Sequence, residues 1–299
     1  MRVLVSGSSG LVGTALKSVF GRRGDEVCSL VRKRSAGDKN TAYWNPDSGE
    51  IDLSPLSSLD VVVHLAGENI AEGRWTEDKK KRIRDSRVQA TNLLCSELAK
   101  LDPKPRVLIS ASAIGIYGDR GSEVLTETSS PGSDFLAQVC AEWESATAPA
   151  KAAGIRVVNI RIGIVISKDG GALAKLLTPF KLGVGGKVGS GQQFMSWIAL
   201  DDLVKAIVFL IETETASGPV NLVAPGCVTN SEFTATLGHV LKRPTIIPAP
   251  AFAMRLAFGE MADALLLSSA RVEPTKLKSL GFEFDYPTLT AALSHELDQ

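Results

Sequence analysis

The sequence predicts an α/β fold in which a doubly wound parallel sheet carries a smaller C-terminal lobe. Up to about residue 165, short Val- and Ile-rich segments alternate with segments of helical spacing, which is typical of parallel strands joined by helices. A glycine-rich turn separates the first strand from the first helix. At residues 170–191 the alternation stops and glycine pairs recur, which predicts a change of architecture.

The individual elements follow from local spacing. Residues 1–6 are apolar and Val-rich, as expected for a strand that is buried on both faces. Further strands are predicted at residues 26–31, 60–65, 106–110, 156–162 and 219–222. Helices are predicted at residues 11–23, 78–100, 134–153, 201–211 and 231–241, with another within 248–299. Right-handed crossovers place the carboxyl ends of parallel strands at one edge of the sheet, where ligands bind.

The composition excludes several classes of function. The 33 Lys and Arg residues balance 33 Asp and Glu residues, so we expect neither nucleic acid nor a membrane surface as a partner. Four scattered cysteines without a CxxC pair predict no zinc site and no disulfide framework. The chain shows no targeting segment and no apolar run near the roughly 20 residues of a membrane span. We therefore expect a cytoplasmic protein, with an organellar location left open.

The glycine-rich turn has the spacing of a dinucleotide-binding motif. Its GxxGxxG pattern follows a strand and opens a helix, which is the context that makes such a motif meaningful. Glycine permits the tight turn, the close approach of a pyrophosphate and helix–strand packing, and the helix N-terminus adds free N–H groups. An ordinary glycine turn is the alternative. The cofactor contacts predicted here, in a Rossmann domain, are Gly7, Ser9, Gly10, Leu11, Val12 and Gly13.

The end of the second strand indicates which dinucleotide is bound. Val31 is followed by the basic residues Arg32, Lys33 and Arg34, where NAD-specific folds usually carry an acid that hydrogen-bonds the ribose hydroxyls. Arginine instead suits a 2′-phosphate, through planar, charge-assisted contacts. We therefore predict NADP(H), held at its adenosine end by Val31 and Arg32; a solvated basic turn is the alternative.

Several of these segments resemble the extended short-chain dehydrogenase/reductases, the superfamily of the nucleotide-sugar epimerases. The resemblance rests on the GxxGxxG turn, on the HLAG sequence at residues 64–67 and on the strand end at residues 110–112. Residues 65–75, 170–198 and 272–281 are similar to one atypical branch, the uncharacterised epimerase family. In that branch a short conserved C-terminal domain of unknown function follows the Rossmann domain. The resemblance runs nearly end to end and implies NADP(H) binding, without supplying a substrate.

The resemblance also implies roles for the segment after the third predicted strand. Leu65 and Ala66 would line the adenosine side of the cofactor, Gly67 is a further cofactor contact, and Arg87 on the next helix would reach the phosphates. For Arg87 a solvated helix face is the alternative. Members of the superfamily often dimerise through paired helices, so a homodimer is left open.

The usual catalytic pair of the superfamily is missing. Typical members use a Ser, a Tyr that exchanges a proton with the substrate, and a Lys four residues after the Tyr. Ser112 matches the Ser, with Ser110 as a weaker candidate, but Phe135 and Val139 stand where Tyr and Lys are expected. Tyr117 is the remaining candidate acid, although its counterpart in the superfamily is generally not the proton donor.

Four residues are candidates for a substrate pocket. Asn69 follows a strand at the predicted ligand edge, although Asn also favours turns and caps. Gln192, Gln193 and Trp197 belong to the glycine-rich segment that is expected to cross the mouth of the site. The alternative for both glutamines is that they hydrogen-bond the backbone of that segment.

Other polar residues nearby are expected to be structural. A solvated helix face is favoured for Glu142 and Glu144 over a role as substitute base, and His64 is expected to contact the core. We find no metal-ligand spacing.

These observations predict two lobes and two alternative functions. Residues 1–165, with a return at 199–225, form the NADP-binding domain, and residues 166–198 and 226–299 form a smaller substrate or lid lobe. The leading function is an NADP(H)-binding oxidoreductase or epimerase-like protein for a small carbonyl or sugar-like substrate. The alternative is a non-catalytic NADP(H)-binding sensor or scaffold, which the missing Tyr and Lys favour.

Overall fold

A computed structural model describes residues 1–33, 38–56 and 58–298 of the chain. Arg34, the last residue of the predicted basic turn, lies outside the described residues. The strands are β1 (Arg2–Ser6), β2 (Glu26–Val31), β3 (Thr41–Asn45), β4 (Glu50–Asp52), β5 (Val61–His64), β6 (Val107–Ala113), β7 (Val124–Leu125), β8 (Arg156–Ile162), β9 (Ile164–Ile166), β10 (Phe194–Met195), β11 (Trp197–Ala199), β12 (Gly218–Leu222), β13 (Val228–Thr229) and β14 (Arg271–Val272).

The helices alternate with the strands of the first half and dominate the second half. They are α1 (Leu11–Arg22), α2 (Glu77–Leu98), α3 (Phe135–Ser145), α4 (Ala148–Ala152), α5 (Gly171–Lys181), α6 (Leu200–Glu212), α7 (Asn230–Leu241), α8 (Ala251–Phe258), α9 (Glu260–Ala262), α10 (Thr275–Ser279) and α11 (Leu289–Glu296). A 3₁₀ helix covers Ile114–Tyr117 and a π-helix covers Asp263–Leu267. No helix among the described residues combines the length and the apolar character of a membrane span.

The central sheet has eight strands in the order β4-β3-β2-β1-β5-β6-β8-β12. All neighbouring pairs are parallel except β3 and β4, so the predicted doubly wound parallel sheet is confirmed. The sequence interpretation missed β3 and β4, which extend one edge. The chain runs outward from β1 to β3 and returns on the other side of β1 with β5. The order of the strands therefore reverses between β1 and β5, which is where such sheets bind ligands.

Both faces of the sheet are covered by helices, so successive side chains of one strand enter different cores. Val3 and Val5 of β1 pack in the cluster that includes α1 and α6, whereas Leu4 packs with α2 and α4. This explains why β1 lacks an alternation of apolar and polar residues. The sheet is thereby fixed from both sides, and the carboxyl ends of its strands have defined positions.

The remaining elements form a smaller group with its own apolar cluster. Residues of α5, α7, α11 and β11 pack together, and β14 pairs with β7 of the first group. The Asp202 carboxylate in α6 accepts hydrogen bonds from the amides of Asp285 and Tyr286, at 2.8 and 3.0 Å. Contacts at several places thus join the smaller group to the sheet.

Candidate cofactor and substrate site

Two of the three motif glycines occupy positions that admit no side chain. Gly7 has φ +68°, and a Cβ there would lie 2.9 Å from the amide nitrogen of Ala66. A Cβ on Gly13 would lie 2.3 Å from the carbonyl oxygen of Gly7. These distances are shorter than any normal Cβ contact with backbone atoms. The turn after β1 therefore touches both the segment after β5 and the first turn of α1.

The N-terminus of α1 has the features of an anion site. Its N-cap is Gly10, no side chain caps it, and its first turn holds no acidic residue. The amides of the first turn and the helix dipole thus stay available for a negative group. Gly170, just before α5, would place a Cβ 3.4 Å from Leu11, so α5 begins beside this turn. A dinucleotide pyrophosphate fits these donors and this glycine cradle.

The predicted adenosine end lies at the exposed end of β2. Val31 is half-buried and Arg32 follows it with 69% of its side chain exposed. Nη1 of Arg32 lies 3.2 Å from Oδ2 of Asp47, which is 78% exposed. Because both groups are solvated, this ion pair is weak, and the guanidinium is free to turn towards a phosphate.

Arg87 packs beneath the loop that follows β5. Its guanidinium donates to the carbonyl oxygens of Ile83 and Glu68, at 3.1 and 3.0 Å, and lies 5.1 Å from the centre of the Trp143 ring. A Cβ on Gly67 would come within 3.3 Å of its Cζ. Burial lowers the pKa of Arg87. The solvated helix face considered for Arg87 is therefore wrong, whereas its contact with cofactor phosphates stays a prediction.

Ser112 is turned towards α3 and is only 3% exposed. Its hydroxyl donates to Oε1 of Glu144 at 2.8 Å. The same carboxylate receives two hydrogen bonds from Arg161, at 2.8 and 3.0 Å. In this arrangement the Ser112 hydroxyl is therefore held by Glu144 and is not open to a substrate, contrary to the prediction. The expected solvated face for Glu144 is also wrong, because this side chain is 13% exposed and paired with Arg161.

Tyr117 belongs to the same buried network. Its hydroxyl donates to Oδ1 of Asn221 at 2.6 Å and accepts from Nη1 of Arg161 at 2.9 Å. The residue is 0% exposed, and burial raises its pKa. A substrate cannot reach this hydroxyl in this arrangement, so the prediction of Tyr117 as a replacement acid is corrected. Ser110, the weaker candidate for the catalytic Ser, is also buried.

Strand register explains how this network forms. Ser112 in β6 stands beside Arg161 in β8, and Arg161 stands beside Asn221 in β12. The three residues thus form a row of buried polar side chains across neighbouring strands of the sheet. Burial opposes the charged form of Arg161, but the hydrogen bonds and charge of Glu144 outweigh it and raise the pKa of the guanidinium. Polar residues inside the apolar strand RVVNIRI are the feature that could have predicted a buried partner.

The positions of the missing Tyr and Lys are filled by apolar packing. Phe135 and Val139 belong to a cluster with Trp75 of the loop before α2 and Met261 of α9. The rings of Trp75 and Phe135 meet edge to face, with centroids 5.6 Å apart. Neither position carries a titratable proton. Met261, from the C-terminal segment, thus packs in the same cluster as Phe135, which stands where the superfamily usually carries its Tyr.

Two of the predicted pocket residues are buried instead. Trp197 is 0% exposed and donates from Nε1 to the carbonyl oxygen of Gly226 at 2.7 Å. Gln193 is also buried, and its amide donates to the carbonyl oxygens of Val188 and Leu266, at 3.1 and 2.9 Å. Both predictions are corrected, because these side chains stabilise the glycine-rich segment from inside. The alternative considered for the glutamine is the one observed.

The other two pocket candidates are exposed. Oδ1 of Asn69 accepts from the amide of Ala71 at 3.0 Å, which is the turn role that Asn favours. The Gln192 side chain is exposed, and its backbone amide donates to the Ser190 hydroxyl at 3.2 Å. Contact of either residue with a substrate stays a prediction.

Comparison with known proteins identifies a family of dinucleotide-dependent proteins, in agreement with the glycine cradle after β1. Residues 3–223 match the model of the NAD dependent epimerase/dehydratase family. The chain belongs to this family. Residues 249–296 match a domain of unknown function, DUF1731. The predicted resemblance to the epimerase family with a short C-terminal domain is thereby confirmed.

The chain is similar to a Mycobacterium and a human epimerase family protein over nearly their whole length, and to part of a longer solved chain. A Mycobacterium bovis epimerase family protein is 43% identical over 293 residues, which is 98% of this chain and 96% of that protein. The human epimerase family protein SDR39U1, solved with NADPH, has a TM-score of 0.91 at 34% identity, with both chains fully covered. The structure of a nucleoside-diphosphate sugar epimerase from Corynebacterium glutamicum has a TM-score of 0.80 at 40% identity. The match covers 99% of this chain and 58% of that chain.

Proposed function

We propose that this epimerase family protein binds NADP(H) where the strand order reverses between β1 and β5, and that it acts as an oxidoreductase or epimerase-like protein. The observation that carries the proposal is the glycine cradle, because Gly7 and Gly13 leave room for no side chain beside an uncapped helix N-terminus. The human relative solved with NADPH supports the same cofactor. The substrate would be a small carbonyl or sugar-like compound.

The residues of the chain have separate tasks in this proposal. The amides of the first turn of α1 bind the pyrophosphate, while Leu65 and Ala66 line the adenosine side. Bound NADPH would supply a hydride, and the main task of the protein would be to position the nicotinamide ring against the substrate. Phe135 and Val139 form an apolar wall, so the proton that accompanies the hydride comes from water. General acid–base help is worth about 10²–10⁴ in rate, so slow turnover is expected.

Arg32 is proposed to select the phosphorylated cofactor. We expect NADPH to bind about tenfold or more tightly than NADH, because a charge-assisted contact to the 2′-phosphate is available only to NADPH. Arg32→Glu should abolish or reverse that preference in fluorescence titrations. Arg22→Glu, at the far end of α1, makes the same charge change and should leave the preference intact. Equal affinity of the wild-type protein for both cofactors would contradict this assignment.

Ser112 is proposed to stabilise the fold without touching the substrate. If a panel of carbonyl compounds reveals NADPH oxidation, Ser112→Ala should keep turnover within about twofold, since the hydroxyl serves Glu144 and no acid–base step depends on it. Thermal unfolding of the variant should shift to lower temperature. A loss of turnover of about 100-fold at unchanged stability would restore the catalytic role for Ser112.

A second candidate function is a non-catalytic NADP(H)-binding sensor or scaffold. The packing of Phe135 and Val139 against Met261 favours it, because the cofactor would then support a contact between lobes. Single-turnover experiments separate the two functions. Oxidation of bound NADPH by any carbonyl compound supports the enzyme. Absence of oxidation, together with partner binding that requires NADP(H), supports the sensor.

A further inference from the structure

A chain of buried hydrogen bonds runs from α3 to the turn after β1. Nε1 of Trp143 donates to Oγ1 of Thr91 at 2.9 Å, and Nε2 of His64 lies 2.9 Å from the same oxygen. Nδ1 of His64 lies 2.6 Å from Oγ of Ser6. Ser6, His64 and Thr91 are each 0% exposed. We call this the Ser6–Trp143 chain; it ends on the residue that directly precedes Gly7.

Hydrogen-bond counting fixes the direction of the chain. Oγ of Ser6 accepts from the amides of Leu65 and Ala66, at 3.1 and 3.3 Å, which occupies both of its lone pairs. The Ser6 proton must therefore go to Nδ1 of His64. Nδ1 is then unprotonated, so a neutral ring carries its proton on Nε2 and donates it to Thr91.

The surroundings of His64 keep the ring neutral. Burial lowers the pKa of His64 to about 4, and the edge of the Trp44 ring packs against it with centroids 5.8 Å apart. A doubly protonated ring would present a third donor to Ser6, which has no lone pair left. One of the two amides would then lose its hydrogen bond to Oγ of Ser6, and only the Leu65 amide has a second acceptor, the Ser6 carbonyl oxygen at 3.3 Å.

The two amides held by Ser6 belong to the backbone that touches Gly7. A Cβ on Gly7 would lie 2.9 Å from the amide nitrogen of Ala66 and 3.0 Å from the carbonyl carbon of Leu65. Ser6 thus sets the separation between the glycine turn and the segment after β5. The geometry points to His64 as a positioning residue that, through Ser6, holds this edge at the spacing that NADP(H) requires. The inference rests on the proposed NADP(H) binding.

Substitution of His64 by Asn or by Gln tests its two ring nitrogens separately. In His64→Asn, the amide oxygen branches from Cγ as Nδ1 does and can accept the Ser6 proton, while the partner of Thr91 is lost. In His64→Gln, the side-chain amide lies about where Nε2 lies and can donate to Thr91, while the acceptor for the Ser6 proton is lost. Both variants are neutral, and each removes one buried hydrogen bond, so their costs in stability should be similar.

The test is a titration of the full-length variants with NADPH, below the onset of thermal unfolding of each. We expect His64→Asn to bind within about twofold of wild type, and His64→Gln and Ser6→Ala each to bind about tenfold more weakly. The double variant Ser6→Ala/His64→Gln should lose no more than either single variant, because both act through one contact. Leu98→Ala, a buried change at the end of α2, should destabilise the fold without altering NADPH affinity.

The outcomes distinguish this inference from the proposed function. If wild type binds NADPH but His64→Gln and His64→Asn bind it equally well or equally weakly, the positioning role is overturned. If His64→Gln does not fold, wild-type affinity in Ser6→Ala overturns it instead, and a tenfold loss there supports it. If the wild-type protein does not bind NADPH, the proposed function fails and this inference with it.

Discussion

Gly13→Ala should nearly abolish NADPH binding. The added methyl group would meet the carbonyl oxygen of Gly7 at 2.3 Å. Because the atoms that clash belong to the backbone, only a shift of the turn or of α1 can relieve the contact. We expect the free energy of unfolding to fall by about 1–3 kcal/mol and NADPH affinity to fall on the order of 100-fold. Isothermal titration below the unfolding transition measures the second effect separately from the first.

The same helix supplies the matched control. A Cβ on Gly21, near the end of α1, would meet no described atom within 4 Å apart from its neighbours and its own helix backbone. Gly21→Ala should stabilise the protein by about 1 kcal/mol, because alanine favours a helix interior, and NADPH affinity should stay unchanged. Wild-type affinity in Gly13→Ala would show that the cradle is not where the pyrophosphate binds.

Glu144→Ala should destabilise the protein more than any other loss of a single carboxylate described above. Arg161 would keep its charge but lose both of its hydrogen bonds to Glu144, in a place where its side chain is only 8% exposed. Removing one partner of a buried ion pair typically costs about 3–5 kcal/mol. Urea unfolding of the variant should show this loss as a lower midpoint with an unchanged slope.

Glu142 is the control on the same helix. It pairs with Arg84 at 2.6 Å, but their side chains are 41% and 49% exposed. Glu142→Ala should therefore cost less than about 1 kcal/mol. A similar loss in both variants would mean that water reaches Arg161 and that the pair with Glu144 is not effectively buried.

The parts of the fold that depend on local pattern could be predicted from the sequence. Strands β1, β2, β5, β6 and β8 are short apolar runs, and the glycine spacing marks the turn after β1. Strand β3 could not be recognised as easily. Its five residues alternate in burial, but only Ala42 and Trp44 face the core, which is too short a pattern to separate from a loop.

The buried polar contacts depend on register between distant strands, which local pattern does not encode. Glu144 faces inward because Ser112 and Arg161 lie beneath it on neighbouring strands. Nothing in the sequence of α3 itself distinguishes Glu144 from the solvated Glu142. The burial of Trp197 and Gln193 likewise depends on contacts made far along the chain, with the carbonyl oxygens of Gly226 and Leu266.

The apolar cluster around Phe135 and Val139 constrains which substitutions this chain can accept. Val139 is 2% exposed, so a lysine there would bury an ammonium group among apolar side chains, at a high cost. A tyrosine at position 135 would need its hydroxyl to find a partner beside Trp75 and Met261. Introducing the Tyr and Lys of typical superfamily members would thus require compensating substitutions in the C-terminal domain at the same time. In this packing, the Tyr and the Lys are difficult to introduce one mutation at a time.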